Sequence, residues 1–129
     1  MITEDYVSFE VAKLLKEKGF SEKTIPFYNG DGSFCSRIGN VCQPYDWNHD
    51  KFVFFSAPTH QMAMAWLRGK GIFIQIGVVG HSTITVPEKY YFFKVYRDRK
   101  FISHNKVDTY YTYEEVVESA LKYCLEEVI

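Results

Sequence analysis

Four side chains that bind metals fall close together in the sequence, namely Cys35, Cys42, His49 and His60. Thiolate and imidazole groups together make tetrahedral zinc sites, so the spacing decides whether this is one. Six residues separate the cysteines and ten separate the histidines, whereas structural zinc sites usually have about two to four and about three to five. The spacing therefore predicts no metal site, and nothing else in the sequence predicts a cofactor.

A cysteine that acts as a nucleophile beside a histidine is the second chemistry that these residue types allow. A reactive thiolate needs a neighbouring charge or a helix N-terminus, and no local signature places Cys35 or Cys42 beside either. His60 falls in the first turn of a predicted helix, where the helix dipole disfavours its charged form, and we expect it at the surface. The nucleophile-elbow, zincin, phosphate-loop and dinucleotide-binding motifs are absent. We therefore assign no catalytic residue and expect a protein that is not an enzyme.

The segment "KYYFFKVY", residues 89–96, combines rings with basic side chains. It has a basic first residue and aromatic third and fifth residues, as the RNA-stacking strand of an RNA-recognition motif does. Tyr90 and Phe92 stand where that motif has small residues. Residues 89–106 hold six Lys or Arg residues against one acid, Asp98. The pattern is therefore partial, but it is basic and aromatic together.

Two interpretations of this segment stay open. In the first, rings that face solvent stack the bases of a single-stranded nucleic acid. In the second, the segment is a solvated hairpin whose alternate rings, Tyr91 and Phe93, belong to the core. The candidate binding residues are Tyr90, Phe92, Lys94, Tyr96, Arg97, Arg99 and Lys100.

The segment 37–51, "RIGNVCQPYDWNHDK", shows no helical or strand period. Irregular loops of this length are uncommon in compact domains and often carry function. Tyr45, Trp47 and His49 are the side chains in it that often occur at binding surfaces. The alternative, which we favour, is that Trp47 covers an open part of the core, because large rings are usually mostly buried.

The composition predicts one domain and gives no bulk electrostatic signal. A chain of 129 residues can fold without a metal or disulfide, so we expect a single domain over residues 1–129. Its net charge of -1 provides no overall attraction to nucleic acid or anionic membrane. The three cysteines suit free thiols in a reducing compartment, the cytoplasm. The longest apolar run, "GIFIQIGVVG", is too short to span a bilayer.

Caps and apolar spacing predict three helices. The first, in "SFEVAKLLKEKGF", begins after a Ser8 cap and ends at Gly19, with Phe20 folding back onto it. The third, in "TYEEVVESALKYCLEEVI", begins with Thr112 and Glu115 at capping-box spacing. We expect its core face to comprise Val117, Ala120, Leu121, Cys124, Leu125 and Val128.

The second helix follows Pro58, with Thr59 or Ser56 as its cap. We expect Met62, Ala63, Trp66 and Leu67 to form its buried stripe and Met64 to lie opposite. A contact between the Met62 sulfur and the Trp66 ring is then expected inside the core.

The remaining segments read as strands. "TIPFY" and "SFCS" flank an "NGDG" turn, and Pro26, which has no amide donor, places the first of them at a sheet edge. After "FVFF" and the second helix, an antiparallel meander is expected through 72–79 and 83–96, the latter as one bent strand or as two ("TITV" and 90–96). "KFISHN" and "KVDTYY", residues 100–111, are expected to add an edge strand. We therefore predict an α+β fold, a single antiparallel sheet of four to six strands with three helices packed mainly on one face.

Three segments, "YVSFEVAKLLKEKGF", "APTHQMAMAWLR" and "TYEEVVESALKYCLEEVI", resemble a family of short proteins in gut-dwelling Bacteroides-type bacteria and their phages or mobile elements. The resemblance covers about a third of the chain, at its start, middle and end. It implies cytoplasmic expression and a phage or mobile-element context, and it carries no known activity.

The expected function is a small non-catalytic binding or accessory protein that uses the outer sheet face and the 37–51 loop. Its expected partner is a protein, or a second copy of the chain joined through an edge strand or the aromatic sheet face, because a net charge near zero permits self-association. The alternative is binding of single-stranded nucleic acid by residues 89–100. No membrane partner is expected.

Overall fold

The structure is a computed structural model that describes residues 3–36, 42–49, 54–80, 89–104 and 112–129. The predicted strand at 83–86 lies outside the described residues. Residues 37–41 and 50–51 of the 37–51 loop also lie outside them. The elements in chain order are α1 (Phe9–Glu17), β1 (Phe27–Asn29), β2 (Phe34–Cys35), a 3-10 turn (Trp47–His49), β3 (Phe54–Ser56), α2 (His60–Arg68), β4 (Ile72–Gly80), β5 (Lys89–Arg97), β6 (Lys100–His104), α3 (Tyr113–Tyr123) and a π-helical turn (Cys124–Val128).

The fold is α+β, but the strands of the described residues form two antiparallel sheets of three rather than one larger sheet. The first sheet has the order β2-β1-β3 and the second has the order β4-β5-β6. The strands of the first sheet are two or three residues long, and Pro26 directly precedes the first of them. They offer few main-chain groups for pairing, and the described strands depart from the predicted single sheet because β1–β3 form a ladder separate from that of β4–β6.

The sequence suggested that Pro26 places its strand at a sheet edge, but β1 is the central strand of the first sheet. The proline comes just before β1 begins, and its carbonyl accepts a hydrogen bond from the Ala57 N–H at 3.1 Å. Since no ladder bond requires an amide donor at this position, the missing N–H costs nothing.

α1 has the two ends that the sequence predicts. The Ser8 side chain accepts a hydrogen bond from the Val11 N–H, which satisfies one of the amide groups left free at a helix start. At the other end Gly19 has a φ of 93°, and the Phe20 N–H donates to the Leu15 carbonyl at 2.9 Å. This is the Schellman ending, which favours glycine because of the left-handed backbone.

α2 is capped by Thr59, as predicted, but its buried face differs from the predicted stripe. His60, Ala63, Met64 and Leu67 are buried, which follows the spacing i, i+3, i+4, i+7 of an amphipathic helix. Met62 is exposed, so the expected Met62–Trp66 contact inside the core is wrong. The spacing alone allowed two neighbouring stripes, and the packing of α2 onto β4 selects the one that contains Met64.

The second sheet is an antiparallel meander, as predicted, and β6 is its expected edge strand. Ile72 of β4 and Phe93 and Val95 of β5 are buried against α2 and α3. A two-residue turn joins β5 to β6, with Asp98 at φ 48° and Arg99 at φ 71°, the backbone of a type I′ hairpin. One face of this sheet therefore meets the helices.

α3 begins at the predicted Thr112 cap, whose side chain accepts from the Glu115 N–H. All but one of the residues predicted for its core face are buried; Val128 is half-buried, and Val116 is buried as well. The helix ends in a π turn, in which the Ile129 N–H donates to the Cys124 carbonyl at 3.1 Å. None of the helices in the described part of the chain combines the length and the apolar character that a bilayer crossing requires.

Candidate functional site

The ten predicted binding residues fall into two groups in the structure. Tyr45, Trp47 and His49 lie beside the first sheet, where Trp47 contacts Phe27 and Phe54. The other seven lie on β5, on the turn after it and at the start of β6. Tyr90 is in β5, but its side chain is outside those that the structure describes.

Trp47 is a plug over the first sheet, which confirms the interpretation that the sequence favoured. Its indole N–H donates to the Thr24 carbonyl at 2.7 Å, and its ring stacks on Phe27 with 4.2 Å between centroids. The Tyr45 backbone pairs with Thr24 in both directions at 3.0 Å. A buried indole with a satisfied N–H serves packing, whereas Tyr45 and His49 are exposed.

The second sheet has an outer face, turned away from the helices, that consists of Phe73, Gln75, Gly77, Phe92, Lys94, Tyr96 and Phe101. Phe73 pairs with Tyr96, and Tyr96 pairs with Phe101, so three rings form a row across β4, β5 and β6. Phe73 is 45% exposed and Phe101 is 53% exposed. The Tyr96 and Phe101 rings meet edge to face at 5.7 Å. Large rings are therefore accessible on a face whose other side carries the core.

Gly77 gives this face part of its shape. Phe92 is its partner in the ladder, and a Cβ atom at Gly77 would lie only 2.1 Å from the Phe92 Cζ. The Phe92 ring therefore lies flat over the glycine, an arrangement in which an aromatic ring covers a glycine in a strand. The Lys94 Nζ lies 5.7 Å from the centroid of the same ring, and the Tyr96 hydroxyl is 3.3 Å from the Gln75 Oε1.

The basic side chains are less concentrated on the outer face than the sequence suggested. Arg97 has the register of the inner face, and its Nη1 donates to the Val128 carbonyl at 3.0 Å, so it ties the sheet to the chain end. Lys100 is the ladder partner of Arg97 and shares its side. Only Lys94 belongs to the outer face, with Arg99 exposed at the turn beside it. The four predicted cations are therefore divided between the two faces and the turn, because residues alternate between the faces of a strand.

A cluster that the sequence did not predict joins Ser8, His60 and Glu118. The Glu118 carboxylate accepts from the Ser8 N–H at 2.8 Å and from the Ser8 hydroxyl at 2.7 Å, and His60 Nε2 lies 2.8 Å from it. His60 is only 5% exposed, so the expectation that it lies at the surface is wrong. We name these three residues the Glu118 cluster.

The Glu118 cluster has residue types found in catalytic sites, yet its geometry serves structure. His60 Nδ1 is buried without a hydrogen-bond partner among the described residues, so a reactant cannot reach the ring nitrogen that would act as a base. The Ser8 hydroxyl donates to Glu118 and accepts from the Val11 N–H, so both of its hydrogen bonds hold the start of α1. Burial, and then the charge of Glu118, raise the pKa of the neighbouring Tyr28 hydroxyl. The cluster therefore links α1, α2 and α3.

The remaining reactive side chains do not assemble into a site. Among residues 3–36, 42–49, 54–80, 89–104 and 112–129, no group of three or more His, Cys, Asp or Glu side chains is placed to hold a metal ion. Cys42 is exposed and Cys35 is half-buried, whereas Cys124 is buried as predicted. Burial raises the pKa of the Cys124 thiol to about 12, so this thiol is unreactive near neutral pH.

Two shallow hollows run along the exposed side of α2. One has a volume of about 250 Å³ and is mostly apolar, and the next has a volume of about 300 Å³. Met62 and Lys23 line both, and Trp66 lines the second. Their charged lining consists of Lys23 in both hollows and Glu22 in the second.

The comparisons with known proteins identify no relative: no protein-family model, curated protein or solved structure matches this chain. The phage or mobile-element context implied by the resemblance of three sequence segments therefore stays a prediction. The geometry of the outer face carries the functional argument instead.

Proposed function

We propose that this chain is a small, non-catalytic, cytoplasmic binding protein and that its outer face binds single-stranded nucleic acid. The observation that carries the proposal is the row of rings formed by Phe73, Tyr96 and Phe101 across three neighbouring strands. Neighbouring strands lie about 4.8 Å apart, and the rings of such a row offer stacking surfaces for unpaired bases. Trp47 of the 37–51 loop is used in packing, so the proposed binding surface consists of the outer face alone.

The charges near the row suit a phosphate backbone of modest length. Lys94 lies in the middle of the outer face and Arg99 lies at the exposed turn. If these two side chains neutralise two phosphates, two counterions are released. The logarithm of the binding constant then falls with the logarithm of the salt concentration with a slope of about -1.4 for a single strand. We therefore expect weak binding without sequence preference, carried more by stacking than by charge.

The test is a fluorescence anisotropy titration with labelled mixed-sequence RNA and DNA strands of about twelve nucleotides. Binding in the micromolar range is expected at about 50 mM salt, with affinity falling about sevenfold at about 200 mM. The double variant Phe73→Ala and Phe101→Ala should weaken binding at least about tenfold, because each stacked base is worth about 1–3 kcal/mol. Lys94→Gln should reduce the magnitude of the salt slope by about 0.7.

The matched control is Phe34→Ala. Phe34 is a phenylalanine of similar exposure, 48%, but it belongs to the first sheet, so its replacement should leave the affinity unchanged. The proposal fails if neither strand binds at low salt, where phosphate contacts are strongest. It also fails if Phe34→Ala weakens binding as much as the double variant does.

A further inference from the structure

The two sheets have four edge strands, and β4 differs from the other three. β2 and β3 are two and three residues long. β6 begins with Lys100 and pairs with β5 through a register shift at Val95 and Tyr96, and a charge and a bulge both protect an edge from pairing with another chain. β4 has nine residues, "IFIQIGVVG", with no charged side chain and an unbroken register.

The outer edge of β4 presents main-chain groups at regular spacing. Alternate residues of a strand bond to the same neighbour. The Asp98 N–H donates to the Gly71 carbonyl at 3.0 Å, and the register of β4 with β5 continues from that pair. Phe73, Gln75 and Gly77 therefore bond to β5, which leaves the N–H and C=O groups of Ile72, Ile74, Ile76 and Val78 directed to the other side. Among the described residues, β4 pairs with β5 alone.

We propose that two copies of this chain pair antiparallel through β4, with Gln75 on the two-fold axis, to form a continuous six-stranded sheet. The main-chain groups left open on β4 fit this pairing, because Ile74 then exchanges hydrogen bonds with Ile76 of the second copy. Ile72 does the same with Val78 of the second copy. On the axis, Gln75 lies opposite Gln75 of the second copy in a non-hydrogen-bonded pair, in which the side chains come closest (a close pair). The two amide side chains can then hydrogen-bond to each other.

The side chains of β4 favour this register over its neighbours. Phe73 falls opposite Gly77 of the second copy, which is already covered by Phe92 of that copy, so the Phe73 ring would meet the Phe92 ring across the glycine. On the helix side, Val78 is 56% exposed and would be covered by the strand that carries Ile72 of the second copy. A shift by two residues places Phe73 opposite Gln75 or Val79, and the contact between the two rings is lost.

The charge distribution points to a second copy rather than to a strand of another protein. A two-fold axis places each residue near its own counterpart, so like charges repel across it. β4 has no charge to repel, and the whole chain carries only -1. A self-complementary strand on a nearly neutral protein is suited to pairing with itself.

Sedimentation of the full chain and of two single variants tests the proposal. Gln75→Glu places two carboxylates together on the axis, while within one chain the new charge lies opposite Lys94, its ladder partner. We expect the wild type to be a dimer at tens of micromolar protein. Gln75→Glu should raise the dissociation constant of the dimer by about tenfold. The control, Ile102→Glu, adds the same charge to the exposed edge strand β6 and should leave the dimer intact.

A cross-link tests the register itself. In a background with Cys35→Ser and Cys42→Ser, a cysteine introduced by Gln75→Cys should form a disulfide between copies under mild oxidation, because a close pair brings the Cβ atoms to about 4.5 Å. A cysteine introduced by Val78→Cys meets Ile72 of the second copy and should stay reduced. A monomeric wild type at all concentrations overturns the proposal, as does a dimer that only Ile102→Glu weakens. Efficient cross-linking of Val78→Cys and not of Gln75→Cys overturns the register. None of these outcomes depends on nucleic-acid binding.

Discussion

At the scale of single residues, Glu118 holds the starts of two helices to the middle of a third. Its carboxylate satisfies the Ser8 N–H and hydroxyl beside α1 and the His60 ring at the first turn of α2. Replacing Glu118 by alanine leaves the buried imidazole and the Ser8 amide unpaired. We expect the free energy of unfolding to fall by about 2–4 kcal/mol in urea titrations near pH 7.

The matched control for this prediction is Glu127→Ala, which removes an exposed carboxylate further along the same segment. Its cost should be below about 0.5 kcal/mol. Equal losses from the two variants would mean that the Glu118 hydrogen bonds contribute nothing beyond their charge.

Cys124 makes the free energy of unfolding depend on pH in the alkaline range. Burial raises the pKa of its thiol from 9.0 to about 12, so the folded protein holds the proton more tightly than the unfolded chain does. The stabilisation is complete below pH 9 and is lost as the pH rises from about 9 towards 12. At about pH 10.5 the loss amounts to about 2 kcal/mol.

Cys124→Ala separates this effect from packing. At about pH 7 the variant should be less stable than the wild type by about 1–2 kcal/mol because a buried sulfur is lost. At about pH 10.5 the difference should vanish, since only the wild type has a thiol to ionise. The raised pKa of Tyr28 acts in both proteins and cancels. A difference that stays constant between the two pH values, measured by urea unfolding, would rule the linkage out.

Residue roles that depend on local sequence were predictable, and those that depend on distant partners were not. The Ser8 and Thr112 caps need only the next three residues, and both are confirmed. His60 was placed wrongly because its partner, Glu118, is 58 positions away. Its spacing with Ala63, Met64 and Leu67 was the one signal that it belongs to the buried stripe.

At the scale of elements, the β5–β6 turn holds a strained residue. Arg99 has a φ of 71°, a conformation that costs energy for any residue except glycine, and a type I′ turn favours glycine there. Arg99→Gly should raise the free energy of unfolding by about 0.5–1 kcal/mol. Arg99→Ala, the control, removes the same side chain but keeps the strain, and it should give no gain. A thermal melt of both variants checks the difference, and an equal gain from alanine would assign it to charge.

The helices and the meander were predictable as elements because their periods extend over nine residues or more. Turn residues also predicted the β1–β2 hairpin of the first sheet, but its pairing with β3 was not predicted, since strands of two or three residues are too short to show alternation. The same limit applies to the candidate site: the rings of β5 were identified, but the contributions of Phe73 and Phe101 depend on strand register. Strand register also separates Arg97 and Lys100 from the outer face.

At the scale of the whole molecule, one core connects the two sheets. Tyr28 and Phe55 of the first sheet pack against the same cluster that contains Ile72 and Phe93 of the second. α1 contacts β3 and α3, and α2 contacts β4 and α3. Because the helices are shared, the loss of either sheet would expose part of this common core.

The chain should therefore unfold as a single cooperative unit. The two tryptophans report on different parts of it: Trp47 stacks on Phe27 in the first sheet, and Trp66 meets Phe20 beside α2. Variants with one tryptophan each, Trp66→Phe and Trp47→Phe, should each show a fluorescence transition in urea that coincides with the loss of helical circular dichroism of the same variant. Either substitution can shift the midpoint, but only coincidence within each variant matters. If Trp47 lost its buried fluorescence at lower urea than the helices melted, the first sheet would be a separate unit and the shared core would not bind the two sheets together.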